Sequence, residues 1–377
     1  MLWVDKHRPT NLQHLDFHKR LNEALLHLAS TGDPPHLLFH GPSGGGKKTR
    51  IAAFLRAVFG PGVDKLKLEQ RIFRCGQSKR PVDVATVSSN YHIEMNPADA
   101  GIYDTQVVQD VIKDIAQCGS LHGMMALPVA PQPRRAAEAG AAPIASQRDN
   151  IPAFKFVVLA DVDRMTKGAQ AALRRTMEKY AANCRLILCC ESVSKVIKPV
   201  RSRCLLIRVR SPTNADIACT LQSVCSREQL RVPQAFTDSV ARKSKRNLRR
   251  ALLMMQACHT QKHSFRDAVA LPVPDWERYI TVAANDICQS QTPQQLLAVR
   301  AKLYELAANC IPATVIIKSL LHVLLHKVDS ALKYEVIHWA AYYEHQLNMG
   351  TKEIFHVEAF VARFMSLYKQ YLLSFFA

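Results

Sequence analysis

The sequence lacks the features that mark several large classes of protein. Among its 377 residues no apolar run is long enough to cross a membrane, and no signal-peptide-like apolar segment follows Met1. We therefore expect an intracellular protein in a reducing compartment that does not span a membrane. The eleven cysteines form no Cys-x-x-Cys pair, and neither His-Glu-x-x-His nor a Cys/His cluster occurs. These absences predict reduced cysteines and no structural metal.

Acidic residues are also few relative to basic ones. Lysine and arginine together number 50 against 31 aspartates and glutamates, which gives a net charge of +19. So large an excess favours a polyanionic partner, either nucleic acid or an acidic membrane surface. The apolar and charged fractions, 48% and 21%, are ordinary for a soluble protein, and the length predicts two or three domains.

A glycine-rich stretch is the most informative part of the chain. A short apolar run ending at His40 leads into glycines, and an apolar-periodic segment begins at Ile51. This strand–loop–helix order is typical of a phosphate-binding loop, in which backbone N–H groups and a helix N-terminus converge on phosphate oxygens. The residues that we predict to hold a nucleotide here are Gly41, Pro42, Ser43, Gly44, Gly45, Gly46, Lys47, Lys48 and Thr49.

The loop departs from the full pattern at the position that normally binds magnesium. A serine or threonine hydroxyl should follow Lys47, but Lys48 stands there and Thr49 comes one place late. The supporting carboxylate should end a neighbouring strand, and the candidates are Ala160 and Asp161. Aligned one way with the acidic pattern of P-loop ATPases, the strand end places Ala160 at the magnesium carboxylate and Asp161 at the catalytic base. Shifted by one residue, it places Asp161 at the magnesium carboxylate and Val162 at the catalytic base. The loop still predicts a site that binds ATP or ADP. The two defects predict that this site binds Mg²⁺ weakly or not at all, hydrolyses little ATP and retains ADP.

The pattern of apolar segments predicts an α/β domain followed by helices. Near-continuous apolar strands alternate with helical stripes up to Val209, which is typical of a parallel sheet covered on both faces. Residues 2–9 are predicted to be an extended lead-in, and the Pro/Ala-rich residues 121–146 a flexible insertion. From Thr213 only helices are predicted. We expect a nucleotide-binding domain at 1–209, a small helical lid at 210–270 and an all-α domain at 271–377.

Several motifs outside the loop resemble a known family. They are Trp3-Val4-Asp5-Lys6-His7-Arg8-Pro9, Ala172-Leu173-Arg174-Arg175-Thr176-Met177-Glu178-Lys179-Tyr180, Arg201-Ser202-Arg203-Cys204 and Asn247-Leu248-Arg249-Arg250-Ala251-Leu252. By these motifs and the phosphate loop, the chain resembles the small subunits of replication factor C. The resemblance covers nearly the whole chain except residues 121–146. That family is the eukaryotic sliding-clamp loader of the AAA+ class. The Gly-Lys-Lys-Thr sequence is similar to the member with a degenerate nucleotide site at the end of the pentameric arc.

The resemblance implies roles for individual residues. Val4, Arg8 and Pro9 would line the adenine side of the nucleotide site, and Arg249 would sense bound nucleotide from the lid. Arg203 would be an arginine finger that reaches the ATP of an adjacent subunit, a role suited to its permanent charge and forked donors. Glu191 stands where the family usually carries asparagine, and its charge would repel a γ-phosphate.

The resemblance also implies partners. The family has an AAA+ RecA-like domain, a lid and a helical collar, and assembles as a heteropentamer in the nucleus. It loads the sliding clamp PCNA at primer–template DNA during replication and repair. DNA backbone phosphates would meet Thr105, Thr166 and Lys167 at helix N-termini, although helix capping explains Thr166 equally well. The helix 106–116 would contact the clamp.

Two other functions remain open at this stage. The chain could be a self-sufficient AAA+ ATPase motor that acts on DNA, with Thr49 and Asp161 completing the magnesium site. It could also be a scaffold in which the loop binds no nucleotide. Magnesium-dependent turnover by the chain alone would identify the first, and the absence of nucleotide from the native protein would identify the second.

Overall fold

The computed structural model describes residues 1–75, 80–113, 154–181, 183–261, 273–350 and 352–376. The predicted insertion at 121–146 lies outside these residues. The chain divides into two compact units, Met1–Leu271 and Pro272–Ala377. The predicted boundary between the nucleotide-binding domain and the lid lies inside the first unit and stays a prediction.

The first unit contains one seven-stranded sheet. The strand order is β2-β3-β4-β5-β6-β1-β7, and the five strands from β4 to β7 in that order are parallel. The strands are β1 (Leu37–His40), β2 (Lys67–Cys75), β3 (Arg80–Ser88), β4 (His92–Met95), β5 (Lys155–Leu159), β6 (Cys184–Cys190) and β7 (Leu205–Arg208). The prediction of an α/β domain built on parallel strands is confirmed.

The antiparallel hairpin β2–β3 at the sheet edge makes the sheet mixed rather than purely parallel. The sequence did not reveal it, because the hairpin is not covered on both faces. Leu68 is 77% exposed and Ile72 is 66% exposed, whereas Phe73 and Val84 are buried. Charged residues alternate with these apolar ones, so the segment lacks the continuous apolar run by which the parallel strands are recognised.

Helices cover both faces of the parallel strands. Leu38 on β1 contributes to one core, and its neighbours Leu37 and Phe39 contribute to the core on the other face. All three side chains are fully buried, as expected for a strand between two helical layers. The helices of this part are α1 (Trp3–Lys6), α2 (Lys19–Ser30), α3 (Lys47–Phe59), α4 over residues 104–113, α5 (Lys167–Lys179) and α6 (Lys198–Arg201).

Three helices form the lid, and the N-terminal segment packs into it. They are α7 (Asn214–Arg227), α8 (Gln234–Lys243) and α9 (Leu248–Thr260). The prediction that residues 2–9 are extended was wrong, because Trp3–Lys6 is helical. The Trp3 side chain is buried in the lid core and its ring stacks on His259. The backbone N–H of Trp3 donates to Gln256 Oε1 at 2.9 Å. A buried tryptophan therefore fastens the start of the chain to the lid.

The second unit is all-helical, as predicted. It contains α10 (Asp275–Gln289), α11 (Pro293–Ala308), α12 (Ala313–Leu325), α13 (Ser330–Met349) and α14 (Glu353–Phe376). Their apolar faces meet in one core that includes Leu320, Val361, Phe360 and Phe364.

Candidate functional site

The glycine-rich loop connects β1 to α3, and its backbone requires glycine. Gly41, Gly44 and Gly46 have φ values of 150°, 72° and 82°, which side-chain-bearing residues rarely adopt. The helix α3 begins at Lys47, so its N-terminal N–H groups face the loop. The Lys47 ammonium donates to the carbonyls of Gly41 at 2.6 Å and Pro42 at 3.0 Å.

Two of these glycines also allow close contact with neighbouring elements. A Cβ at Gly41 would lie 1.9 Å from the carbonyl oxygen of Val209, just beyond β7. A Cβ at Gly44 would lie 1.9 Å from Oδ1 of Asn247, the residue that caps α9. The loop is therefore packed tightly between the sheet and the lid, and only glycine fits at both positions.

A buried arginine that the sequence reasoning missed supports the loop. Arg50 is fully buried and donates to the carbonyls of Gly45 at 3.1 Å and Phe17 at 3.1 Å, and to Asn22 at 3.3 Å. Burial lowers its pKa to about 10, so it stays charged at neutral pH. A signal was present, because Arg50 lies one helical turn before the buried Phe54 and shares its inward face.

A cavity of about 300 Å³ lies beside the loop. The N-terminal segment, the loop and the lid each form part of its wall. The wall combines apolar side chains with charged ones, as nucleotide sites require. Among the predicted nucleotide-binding residues, those that line it are Val4, Arg8, Pro9, Gly44, Gly46, Thr49 and Arg249. Gly41, Pro42, Ser43, Gly45, Lys47 and Lys48 belong to the same loop and first helical turn but are not part of this wall.

A cluster of charges joins the N-terminal segment to the lid next to this cavity. Glu228, directly after α7, accepts from Lys6 Nζ at 2.6 Å and lies 2.5 Å from His7 Nε2. The hydrogen bonds from Lys6 and His7 lower the pKa of Glu228. The sequence did not reveal this carboxylate, because it lies 221 residues from His7 along the chain.

The residues at the expected magnesium position do not fit the metal. Magnesium bound with a nucleotide takes oxygen ligands, normally a hydroxyl and a carboxylate from the protein. Here the hydroxyl position holds Lys48, whose ammonium lies 3.4 Å from Glu94 Oε1 on β4. The carboxylate position beyond β5 holds the buried Ala160 in one alignment, and Asp161, followed by Val162, in the other. A lysine thus stands where the hydroxyl ligand should be.

Charged groups of both signs lie around this position. Burial raises the pKa of Cys189 to about 11, and Lys47, Asp161, Lys48 and Glu94 are all near enough to act on it. Asp163 and Glu191 act on the neighbouring Cys190, so two lysines and four carboxylates lie near the end of β6. Glu191 follows β6 and is exposed.

Arg203 lies away from this chain's own nucleotide cavity. It follows α6, and its Nε and Nη2 donate to Glu178 Oε1 at 2.8 and 2.5 Å, while Nη1 donates to the Pro199 carbonyl at 2.9 Å. Arg174 Nε lies 3.9 Å from the same carboxylate. Beside Glu178 is an open depression whose wall includes the basic residues Lys113, Arg174, Arg175 and Lys179.

The predicted DNA contacts lie together at two adjacent helix N-termini. The buried Asp104 at the start of α4 accepts from the Thr166 N–H at 2.7 Å, from Thr166 Oγ1 at 3.0 Å and from Thr105 Oγ1 at 3.3 Å. Thr166 Oγ1 also accepts from the Ala169 N–H and so caps α5. Lys167 is exposed. The structure therefore brings Thr105 and Thr166 together, with a carboxylate between them.

Two features are absent from the described residues. Within the ranges given above, no group of three or more histidine, cysteine, aspartate or glutamate side chains is arranged to hold a metal ion. In the same part of the chain, no helix has the length and apolar content needed to span a bilayer.

Comparisons with known proteins agree over the whole chain. Family models match residues 276–372 (replication factor C subunit 3, C-terminal domain), 220–260 (RCF1/5-like AAA+ ATPase lid domain) and 143–213 (DNA polymerase III, delta subunit). Replication factor C subunit 3 of Mus musculus and of Homo sapiens are each 49% identical over 371 residues, covering 98% of this chain and 97% of theirs. Replication factor C subunit 5 of Oryza sativa is 45% identical over the full length of both chains.

Among solved structures, the RuvB Holliday junction branch migration motor of Thermotoga maritima matches 78% of this chain and 85% of its own. Its identity is 13% and its TM-score 0.44, which is too weak a likeness to add to the sequence relationship.

The loop between β1 and α3, the parallel strands beside it and the helical lid define a P-loop nucleotide-binding protein of the AAA+ class. Relatives that are 49% identical over nearly the full length establish the family within that class. The chain belongs to the replication factor C subunits, which are parts of a multi-subunit clamp loader.

Proposed function

We propose that this chain is the clamp-loader subunit that holds a nucleotide without turning it over and lends Arg203 to a neighbour's ATP. In this proposal it assembles with other replication factor C subunits into a heteropentamer in the nucleus. The complex loads PCNA at primer–template DNA during replication and repair. The observation that carries the proposal is the combination of a glycine-rich loop that ends in Lys47 with Lys48 in place of the magnesium-binding hydroxyl, where its ammonium pairs with Glu94.

Nucleotide binding is supported by the loop and the cavity. Lys47 begins α3 and is held by two loop carbonyls, Gly41 and Pro42, which phosphate oxygens can replace as partners of its ammonium. The cavity wall combines Val4, Pro9 and Leu248 with Arg8 and Arg249. The apolar residues suit a purine ring, and the two guanidinium groups suit phosphate oxygens.

Poor hydrolysis is supported by the absence of the groups that activate it. Phosphoryl transfer in P-loop proteins uses a metal that bridges phosphate oxygens and an acidic residue beside it. Lys48 places an ammonium where the hydroxyl ligand belongs, and in neither alignment of residues 160–162 are the magnesium carboxylate and the catalytic base both present. A lysine ammonium neutralises phosphate charge and therefore favours binding, but it does not orient an attacking water. The expected result is retention of ADP or ATP.

Action in trans is supported by the position of Arg203. The guanidinium does not line this chain's own nucleotide cavity, and its side chain is about one third exposed. An arginine finger is worth a factor of about 10³–10⁵ in the turnover of phosphoryl-transfer proteins that use one. Loss of Arg203 should therefore affect a nucleotide held by another subunit.

Contact with DNA is supported by charge and by the two helix N-termini. The net charge is +19, and Thr105, Thr166 and Lys167 lie where α4 and α5 begin. Contacts of this type bind the phosphate backbone and read no sequence, as a loader at any primer–template junction requires. The DNA affinity of the assembled complex should fall steeply as salt concentration rises, and an affinity that is insensitive to salt would contradict this contact.

The direct test is the nucleotide content of the assembled complex. Denaturing the native complex should release one tightly bound nucleotide that is assigned to this chain by its loss in the Lys47→Ala variant, and chelation of Mg²⁺ should not release it. Replacing Lys48 by threonine together with Ala160 by aspartate should make retention dependent on Mg²⁺. A native complex with no nucleotide at this site would contradict the proposal, as would Mg²⁺-dependent ATP turnover by the purified chain alone.

A further inference from the structure

The guanidinium of Arg203 is held by one carboxylate, and this contact carries an inference that rests on the proposed function. We propose that Glu178 is the positioning residue of Arg203, which fixes the guanidinium in the orientation needed to meet a phosphate on the adjacent subunit. Arg203 Nε and Nη2 both donate to Glu178 Oε1, at 2.8 and 2.5 Å. Two bonds from one edge of a planar guanidinium fix its direction as well as its place.

The remaining hydrogen-bond donors of Arg203 are the ones that a phosphate needs. A guanidinium has five N–H groups, and three are used in the bonds to Glu178 and to the Pro199 carbonyl. One N–H on each terminal nitrogen is left to donate to phosphate oxygens. Arg203 can therefore bind a phosphate while Glu178 keeps its hold, so the contact orients the finger and does not block it.

The elements that carry the pair are themselves fixed to each other. Glu178 lies in the last turn of α5, whose Leu173 and Met177 are buried in the sheet core. The buried Gln170 on the same helix accepts from the Ile197 N–H at 2.9 Å, directly before α6. Arg203 lies in the short turn between α6 and β7, so these contacts tie the segment that carries the guanidinium to the helix that carries the carboxylate. Rigid support of this kind is what a positioning role requires.

The surrounding charge explains why a carboxylate is needed at this place. Arg174 lies 3.9 Å from the Glu178 carboxylate, and Arg175 and Lys179 line the adjacent depression. Without a negative charge these cations would repel Arg203. Glu178 thus holds two arginines, Arg203 and Arg174, on the same side of the subunit.

The test measures ATP turnover by the assembled complex with Glu178→Ala, Glu178→Gln, Arg203→Ala and the double variant Glu178→Ala/Arg203→Ala. We expect Glu178→Ala to lower the maximal rate about tenfold to a hundredfold, since a misplaced catalytic group costs about that much. The ATP concentration for half-maximal rate should not change. Glu178→Gln, which keeps the acceptor oxygen without its charge, should be intermediate. The double variant should be no slower than Arg203→Ala alone, because Glu178 acts only through Arg203.

A matched control is available in another exposed ion pair of the same unit. Arg56 and Asp64 lie 2.9 Å apart with side chains 28% and 54% exposed, against 33% and 50% for Arg203 and Glu178. Asp64→Ala should leave turnover unchanged.

Three results would overturn the inference. Turnover could be faster in Glu178→Ala, which would mean that the carboxylate restrains the finger. The double variant could be slower than Arg203→Ala, or Asp64→Ala could lose as much turnover as Glu178→Ala. If Arg203→Ala has no effect on turnover, the trans role in the proposed function fails together with this inference. If Arg203→Ala lowers turnover but one of the three results above is found, only the inference about Glu178 fails.

Discussion

Replacing Gly44 by alanine tests the contact between the phosphate loop and the lid. Gly44 has φ +72°, and a Cβ there would lie 1.9 Å from Asn247 Oδ1, whereas real Cβ atoms essentially never approach closer than 3.0 Å. Asn247 would therefore have to move by at least 3.0 − 1.9 = 1.1 Å. That shift would break the bond by which its Oδ1 accepts from the Arg250 N–H at 3.1 Å.

The expected size of the effect follows from these two costs. A left-handed backbone costs alanine about 1–2 kcal/mol, and loss of an N-cap costs about 1 kcal/mol. Gly44→Ala should therefore lower the free energy of unfolding by about 2–3 kcal/mol. Because Gly44 and the lid both line the nucleotide cavity, we also expect ADP affinity to fall about tenfold, equivalent to about 1.4 kcal/mol.

A second glycine provides the control for this experiment. Gly32 has φ +77° but no atom within 4 Å of a Cβ built there, so Gly32→Ala should cost only the backbone term and leave ADP affinity unchanged. Chemical denaturation and ADP titration of the purified protein measure both quantities. In an Asn247→Ala background, Gly44→Ala should lose most of its steric cost. Equal effects of Gly44→Ala and Gly32→Ala, or strict additivity with Asn247→Ala, would refute the reasoning.

Three further perturbations test the supports of the site. Arg50→Leu removes the arginine donor of the buried Gly45 carbonyl and of Asn22 Oδ1, while the Phe17 carbonyl keeps Asn22 Nδ2 as a donor. The free energy of unfolding should therefore fall by about 3 kcal/mol or more, at about 1–3 kcal/mol for each unsatisfied group. Asp104→Ala removes the acceptor of two Thr166 bonds and should cost about 2 kcal/mol with faster hydrogen exchange at the start of α5, whereas Asp110→Ala, in an exposed pair with Lys113, should cost under about 0.5 kcal/mol. Burial, and then the charge of Arg185, lower the pKa of His36 from 6.5. The unfolded chain therefore binds the proton first, and stability should fall as pH drops below 6.5 by up to about 1.4 kcal/mol per pH unit. Denaturation between pH 7.5 and 5.5 checks this, and His36→Asn should reduce the slope.

The parts of the fold that the sequence predicts are those encoded locally. The buried strands have continuous apolar runs because helices cover both faces, and the loop shows its glycines because three of them have positive φ. The Lys48 and Ala160 departures are visible in the sequence for the same reason, since each is judged against a local pattern.

The parts that the sequence does not predict depend on partners distant along the chain. Arg50 binds the Phe17 carbonyl, Lys48 meets Glu94, and Glu178 meets Arg203. No spacing rule pairs such residues, because only the packed sheet brings them together. The helix α1 was missed for a similar reason, since Trp3 folds onto the lid and not onto its own neighbours.

The central claim is that this chain holds a nucleotide which it does not hydrolyse and acts on the ATP of its neighbour through Arg203. The most direct measurement is steady-state ATP turnover by the assembled complex with either Lys47→Ala or Arg203→Ala in this chain. Loss of a finger should depress turnover strongly, while loss of the loop lysine at a site without turnover should change the rate little. A greater loss of turnover in Lys47→Ala than in Arg203→Ala would contradict the account.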